Sequence, residues 1–259
     1  MSETGGQVPD IGRLALPESF FLLARDERTG ELLMSDQLHG LALAAAQLAE
    51  LVLANQVVIS EGRAFTTPHR AKREAEAVLV TDIVNRLHER GLGTPAGAME
   101  YIERHTFHPV PATAEQALKS VEENGARPVF DYLSYLGEFA DEVLRAQLLA
   151  EGVVRVQPTR LPMRRPRVVT REEDLPTRVR AAVVIPLRRA EPLSARAAIL
   201  LALALATGVD AARPLEWSQL RGPHYDFAQS RIRDALDPAL THLIDHLDAA
   251  VHRAVSARI

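Results

Sequence analysis

The sequence predicts a mainly α protein: a single multi-helix globular domain with short β-hairpins, one of them protruding. Three observations lead there. Hydrophobic residues fill 47% of the 259 positions but aromatics only 5%, so the core must be built from Leu, Val and Ala, which suit packed helices better than facing sheets. Apolar residues recur at the three- and four-residue spacing of a helical face, most clearly at Leu38, Leu41, Ala45, Leu48 and Val52. Short β-branched runs such as Val57, Val58 and Ile59 follow directly on residues, here Asn55, that tolerate the left-handed turn at a helix end.

In chain order, residues 1–12 have too little apolar content to fold and are expected to form a disordered tail, with the domain filling 13–259. Residues 15–32 begin with a short apolar segment that a turn at Arg28, Thr29 and Gly30 closes. The unit 35–60 follows, with Ser35 and Asp36 as residues able to cap a helix start, a helix apolar nearly all round, and a strand. Residues 62–69 are expected to be a loop, from which Arg70, Lys72 and Arg73 lead into a helix carrying Val78, Leu79, Ile83, Val84 and Leu87. Gly91, Gly93 and Pro95 stop that helix. Further helices are expected over 96–103 and over 113–123, the second opening on a Thr113 to Gln116 capping box. One long helix should run between Pro128 and Glu151, ended by Gly152. Residues 153–170 read as a strand, a proline-broken tip and a returning strand. Residues 175–187 suit either a helix or a strand, and helices should cover 194–207, 226–236 and 238–255. A helix–turn–strand pattern therefore occurs twice, at 38–59 and at 142–156.

The bulk numbers narrow the function. The net charge of −4 gives no global attraction to nucleic acid or to an anionic membrane, so such contacts need a local patch. Cysteine is absent, which excludes disulfides and thiol catalysis. Lys72 and Lys119 are the only lysines, and this arginine bias together with abundant alanine points to a GC-rich, bacterial coding sequence. The first dozen residues are polar and acidic, unlike a secretory signal. The apolar run 197–206 is about half the roughly 20 residues a spanning helix needs, and the run 41–54 is interrupted by Gln47 and Glu50. A cytoplasmic protein, peripheral on the inner face of the membrane, is expected.

Catalytic signatures are missing. There is no Gly-x-Ser-x-Gly elbow and no glycine-rich phosphate loop. His242 and His246 stand four apart on the last helix, but Ile244 occupies the space between them, no third ligand follows, and a solvated helical face accounts for them. His105 and His108 read as a helix end before Pro109. Glu172 and Glu173 suit an exposed helix start. No enzyme, metal or cofactor is expected. One stretch does stand out: between Val153 and Arg171 lie Arg155, Arg160, Arg164, Arg165, Arg167 and Arg171 with no acid among them, and Leu161 and Met163 sit at the tip. Cations beside exposed apolar groups compose a surface that docks on anionic lipid, each basic residue contributing about 1 kcal/mol there.

The segments LPESFFLLARDERTGEL (16–32), LAELVLANQVVI (48–59), LLAEGVV (148–154) and HYDFAQSRIRDAL (224–236) come in the order and spacing of a known family. In the last of them Tyr225, Asp226, Ala228, Arg231 and Arg233 are all in register. The chain resembles the Golgi phosphoprotein 3 family, as a bacterial relative, over nearly its whole length. The resemblance implies a non-catalytic, mostly helical domain with a protruding hairpin, which in eukaryotic members binds phosphatidylinositol 4-phosphate at a shallow basic pocket. The residues of that pocket are not retained: its tryptophan aligns with Ser35 and its arginines with Ala44, Glu138 and Asp141. Carboxylates at the last two would repel phosphate. The expected contacts for an anionic phospholipid or phosphoinositide headgroup are therefore Arg160, Arg164, Arg165 and Arg167 of the hairpin, with Arg70, Lys72 and Arg73 as secondary candidates. Leu161 and Met163 would touch the membrane or a second copy.

Two other classes compete with a lipid-binding adaptor. The helix before the hairpin and the hairpin itself could be the recognition helix and wing of a DNA-binding regulator, but Glu138, Asp141, Glu142 and Glu151 surround Arg145, where a groove-reading helix needs cations. The hairpin over 155–169 could instead join copies of the chain in a self-associating scaffold, a role the apolar Leu161 and Met163 also fit.

Overall fold

A computed structural model describes residues 14–67, 81, 84–85, 112–157, 167–209 and 223–257. Among them are nine helices and two small antiparallel sheets. The order is α1 (Leu16–Leu23), α2 (Asp36–Leu53), β1 (Val57–Ser60), β2 (Arg63–Thr66), α3 (Ala112–Asn124), β3 (Arg127–Pro128), α4 (Val129–Gly137), α5 (Ala140–Ala150), β4 (Val154–Gln157), β5 (Arg167–Thr170), α6 (Leu175–Arg188), α7 (Ala195–Thr207), α8 (Pro223–Ala235) and α9 (Pro238–Ser256). The expected mainly α architecture is what the chain adopts.

The hub is α2. Every residue from His39 to Val52 is buried, and α1, α3, α4, α5, α7 and α9 all pack on it. Ser35 rather than Asp36 is its N-cap, with Oγ accepting from the Leu38 N–H at 3.4 Å. Asn55 turns the chain out of the helix at φ 56°, and the Gln56 N–H reaches back to the Leu51 carbonyl. α7 forms the second buried rod, capped by Ser194 and closed by Gly208 at φ 76°. The acid that interrupts the apolar run of α2 is a structural one. Buried Glu50 pairs with Arg196 of α7, and its Oε2 accepts from the Leu16 N–H at 2.8 Å. This one carboxylate thus ties α1, α2 and α7 together.

Four expectations need correction or completion. The long helix between Pro128 and Glu151 is two helices, α4 and α5, because Gly137 lies against Gly40 of α2. A methyl group on Gly40 would stand 2.1 Å from the Gly137 carbonyl oxygen, so the two helices cross at a distance only glycine permits, and the chain bends at Glu138 and Phe139 to keep that crossing. Part of the expected loop 62–69 is strand β2: Glu61 and Gly62, both at positive φ, make a two-residue hairpin turn, and β1 pairs with β2 from Val57↔Thr66 to Ser60↔Arg63. Thr113 is no N-cap, since α3 begins at Ala112 and the Thr113 hydroxyl is buried without a hydrogen-bond partner among the described residues. The ambiguous stretch 175–187 is helix α6, which carries Pro186 in its last turn. Of the expected helix that follows Arg70, residues 81, 84 and 85 are described and helical, with Val84 buried; its remainder, the expected helix over 96–103 and the hairpin tip lie outside the described residues.

The repeated helix–turn–strand pattern is real at the level of local geometry. α5 ends as α2 does, with Gly152 at φ 73° and the Val153 N–H bonded to the Leu148 carbonyl at 2.9 Å. It too is followed by an antiparallel pair, β4 with β5, in register from Val154↔Thr170 to Gln157↔Arg167. Of β4 only Val154 is buried, so the strand leaves the body of the protein as it runs toward the tip.

Candidate functional site

Three pieces of chain converge beside the hairpin. The first is the 26–31 turn. Asp26 Oδ1 accepts from the Arg28 and Thr29 N–H groups at 3.0 and 2.8 Å, and the Gly30 N–H bonds to the Asp26 carbonyl at 2.7 Å. Gly30 sits at φ 67° against β5, where a Cβ would stand 2.3 Å from the Val168 carbonyl oxygen. Glu27 fixes the same turn to α6 through Arg180 and through Thr177, whose hydroxyl is 3.2 Å away. The second piece is the start of α2, and the third is the outer face of α5 together with the base of the hairpin.

Between them opens a cleft of about 630 Å³. Its apolar walls are Leu32, Leu149 and Val156, and its charged groups are Arg25, Arg145 and Arg167 with Glu31, Asp36 and Asp141. The volume suits a small ligand or a headgroup. Among the described residues that line it, arginines and carboxylates are equal in number.

At its floor is a buried polar cluster. Arg25 Nη2 donates to Asp141 Oδ1 at 2.7 Å and Nη1 to the Phe21 carbonyl at 3.1 Å, while the guanidinium lies 3.5 Å from the centre of the Phe21 ring. His39 is fully buried, its ring 6.1 and 5.8 Å from those of Phe20 and Phe21. Arg25 Nη1 lies 3.4 Å from His39 Nε2. An arginine nitrogen can only donate, so Nε2 is the unprotonated nitrogen and the ring proton sits on Nδ1. Nδ1 lies 3.2 Å from Asp141 Oδ1 but off the line of a good hydrogen bond, an electrostatic contact more than a bond.

The titration directions follow from this geometry. Burial holds the His39 imidazole below its ordinary value, so the ring is neutral. Burial likewise pushes the Arg25 guanidinium down, and the Asp141 charge opposes that. For Asp141 burial acts upward, but the His39 contact and the Arg25 charge together outweigh it and hold the carboxyl well below the usual range. Arg145 faces the same cleft half-buried, with no hydrogen bond or ion pair among the described residues. Arg167 reaches toward Glu31 at 3.9 Å, a loose and partly exposed pair.

Of the arginines expected to contact lipid, Arg167 lies at the cleft. Arg160, Arg164, Arg165, Arg70, Lys72 and Arg73, with Leu161 and Met163, lie outside the described residues. The positions aligned with the eukaryotic pocket divide. Ser35 and Asp141 flank or line the cleft, Glu138 is exposed at the α4–α5 bend, and Ala44 is fully buried in the core. Sequence reasoning missed Arg25. Its signal was a cation four residues after Phe21 at the end of an apolar helix, but its partner Asp141 is 116 positions away.

Among the described residues no helix is long and apolar enough to cross a membrane, and no group of side chains could hold a metal ion. A helical protein with a surface cleft set where an arginine-bearing hairpin leaves its body is the class that fold and site define. The chain belongs to the family described as Golgi phosphoprotein 3 (GPP34), whose model matches residues 16–255. No curated protein matches the sequence.

Proposed function

We propose that the protein is a non-catalytic peripheral membrane protein that docks on anionic phospholipid through the face carrying the cleft and the hairpin. The observation that carries this reading is the position of Arg145 and Arg167 beside Leu32, Leu149 and exposed Val156, where β4 and β5 leave the body. Cations and apolar groups are thereby presented together at the root of the most arginine-rich stretch of the chain. Family membership supports an adaptor-like role, in which membrane contact is the function and no bond is made or broken. Phosphatidylinositol 4-phosphate is the ligand the family suggests. In this chain the aligned pocket positions include acids, so general attraction to an anionic surface is the stronger basis for docking.

The test is flotation of the purified protein with vesicles containing phosphatidylinositol 4-phosphate and with vesicles of equal charge made from an ordinary anionic lipid. We expect flotation on both, and loss of flotation when Arg164, Arg165 and Arg167 are all changed to glutamate, with the mass in light scattering unchanged. Flotation of the triple variant at the unaltered level would remove the hairpin from membrane contact. A changed mass would favour the self-associating scaffold, and retention on duplex DNA that falls steeply with salt would favour the regulator.

A further inference from the structure

Asp141 and Arg145 stand one turn apart on α5, the spacing at which an aspartate and an arginine ordinarily pair across a helix face. Here they do not. Arg25 takes Asp141 Oδ1, and His39 Nδ1 approaches the same oxygen. Oδ2 therefore holds no hydrogen bond among the described residues, and neither does the Arg145 guanidinium. Both side chains line the cleft, and Asp141 remains 35% exposed to it and to solvent. The cleft thus offers one unpartnered cation and one open carboxylate oxygen within a wall whose described residues carry three arginines and three carboxylates.

A phosphoinositide headgroup combines a phosphomonoester of about −1.5 to −2 charge with a phosphodiester. Such an anion would meet Asp141, Asp36 and Glu31 as well as the arginines, and its excess charge would find no counterpart among the described wall residues. A ligand with one negative and one positive group matches the wall at both ends. The positive group must be an ammonium that donates hydrogen bonds. Quaternary ammonium ions are held in aromatic cages, and no aromatic side chain lines this cleft among the described residues. Leu32, Leu149 and Val156 suit the short carbon link between the two charges.

We propose that the cleft binds a phosphodiester bearing a primary ammonium group, the chemistry of an ethanolamine-type headgroup, with the phosphate at Arg145 and Arg167 and the ammonium at Asp141 Oδ2. As a lipid site the proposal rests on the membrane-docking reading above. The same chemistry occurs in a soluble glycerophosphodiester, and the experiment separates the two sources.

The full chain is titrated calorimetrically with glycerophosphoethanolamine, glycerophosphocholine and inositol 1,4-bisphosphate, and floated with vesicles of equal surface charge that contain or lack phosphatidylethanolamine. The ethanolamine ester is expected to bind about tenfold more tightly than either other ligand, the magnitude of one charge-assisted hydrogen bond. Arg145→Gln is expected to weaken all three about tenfold, and Asp141→Asn to abolish the preference for ethanolamine over choline while leaving phosphate binding. Because Asp141→Asn also disturbs Arg25, Asp36→Asn provides a second variant on an exposed wall, expected to reduce the same preference with unchanged circular dichroism. Tighter binding of inositol bisphosphate, equal binding of the two esters, or indifference to both Arg145→Gln and Asp141→Asn would overturn the proposal. Binding of the soluble ester without enhanced flotation on ethanolamine vesicles supports the chemistry and identifies a soluble source. Loss of flotation in the hairpin triple variant is a separate readout, so failure of the membrane reading and failure of the cleft chemistry are distinguishable.

Discussion

Gly40 and Gly137 let the backbones of α2 and α4 come into direct contact. A Cβ on Gly40 would meet a backbone carbonyl at 2.1 Å, an atom that cannot swing aside, whereas a Cβ on Gly137 would meet its nearest neighbours at 3.2 and 3.3 Å. Gly40→Ala should therefore cost about 3 kcal/mol, the upper range for overpacking, and Gly137→Ala about 1 kcal/mol. Urea unfolding midpoints of the two variants measure the difference. The Arg25–Asp141 pair calls for a different expectation. Removing the aspartate as Asp141→Ala leaves a guanidinium only 11% exposed without its partner. Because Asp141 itself is 35% exposed, the loss should be about 2 kcal/mol, below that of a fully buried pair. Its pH dependence has a definite sign. The folded carboxyl titrates below its unfolded value, so this stabilisation is present above about pH 4 and is lost as the pH falls further, and Asp141→Ala should flatten the acid limb of the stability curve.

At the level of elements, the start of α1 supplies the opposite sign. Glu18 Oε2 accepts from the Ala15 N–H at 3.0 Å, and burial pushes the Glu18 carboxyl up to about 7 from an ordinary 4.5. A raised folded value means that the native state keeps a proton the unfolded chain has released. Stability is then greatest below about pH 4.5 as far as this group is concerned, and declines as the pH rises through 7. Glu18→Gln should remove a decline on the order of 3 kcal/mol between those limits, read as the difference between the two stability curves. The same element-by-element view explains what was legible in the sequence. Ser35 as a cap and Asn55 and Gly152 as stops could be read because each acts within its own turn. β2 could not, because Arg63, Ala64, Phe65 and Thr66 form a strand only through their pairing with β1 and β3. The bend between α4 and α5 was hidden for a similar reason, its cause being Gly40, nearly a hundred residues earlier. The cleft was legible only in halves. Arg167 belonged to a visible run of arginines, but Arg25 and Asp141 meet only once α2 has brought α1 and α5 together.

The whole molecule carries its charge unevenly, and this would separate the two proposed modes of ligand contact. The net charge is −4, yet the stretch from Val153 to Arg171 holds six arginines and no acid, so the rest of the chain is more negative than the total suggests. An anionic surface would attract the hairpin and repel the body, which would orient the protein with β4 and β5 toward it. That attraction acts across water and is screened as the Debye length falls from about 10 Å at 0.1 M salt to about 3 Å at 1 M. The proposed cleft contacts would be short-range and made by half-buried Arg145 and by Asp141, where screening is weaker. Raising salt from 0.1 to 1 M should therefore release the protein from vesicles while lowering its affinity for glycerophosphoethanolamine by much less. Co-flotation and calorimetry on the same salt series check this. Parallel losses would mean that one exposed arginine patch accounts for both, and a cleft affinity that holds while flotation collapses would mean that steering and recognition reside in different parts of the fold.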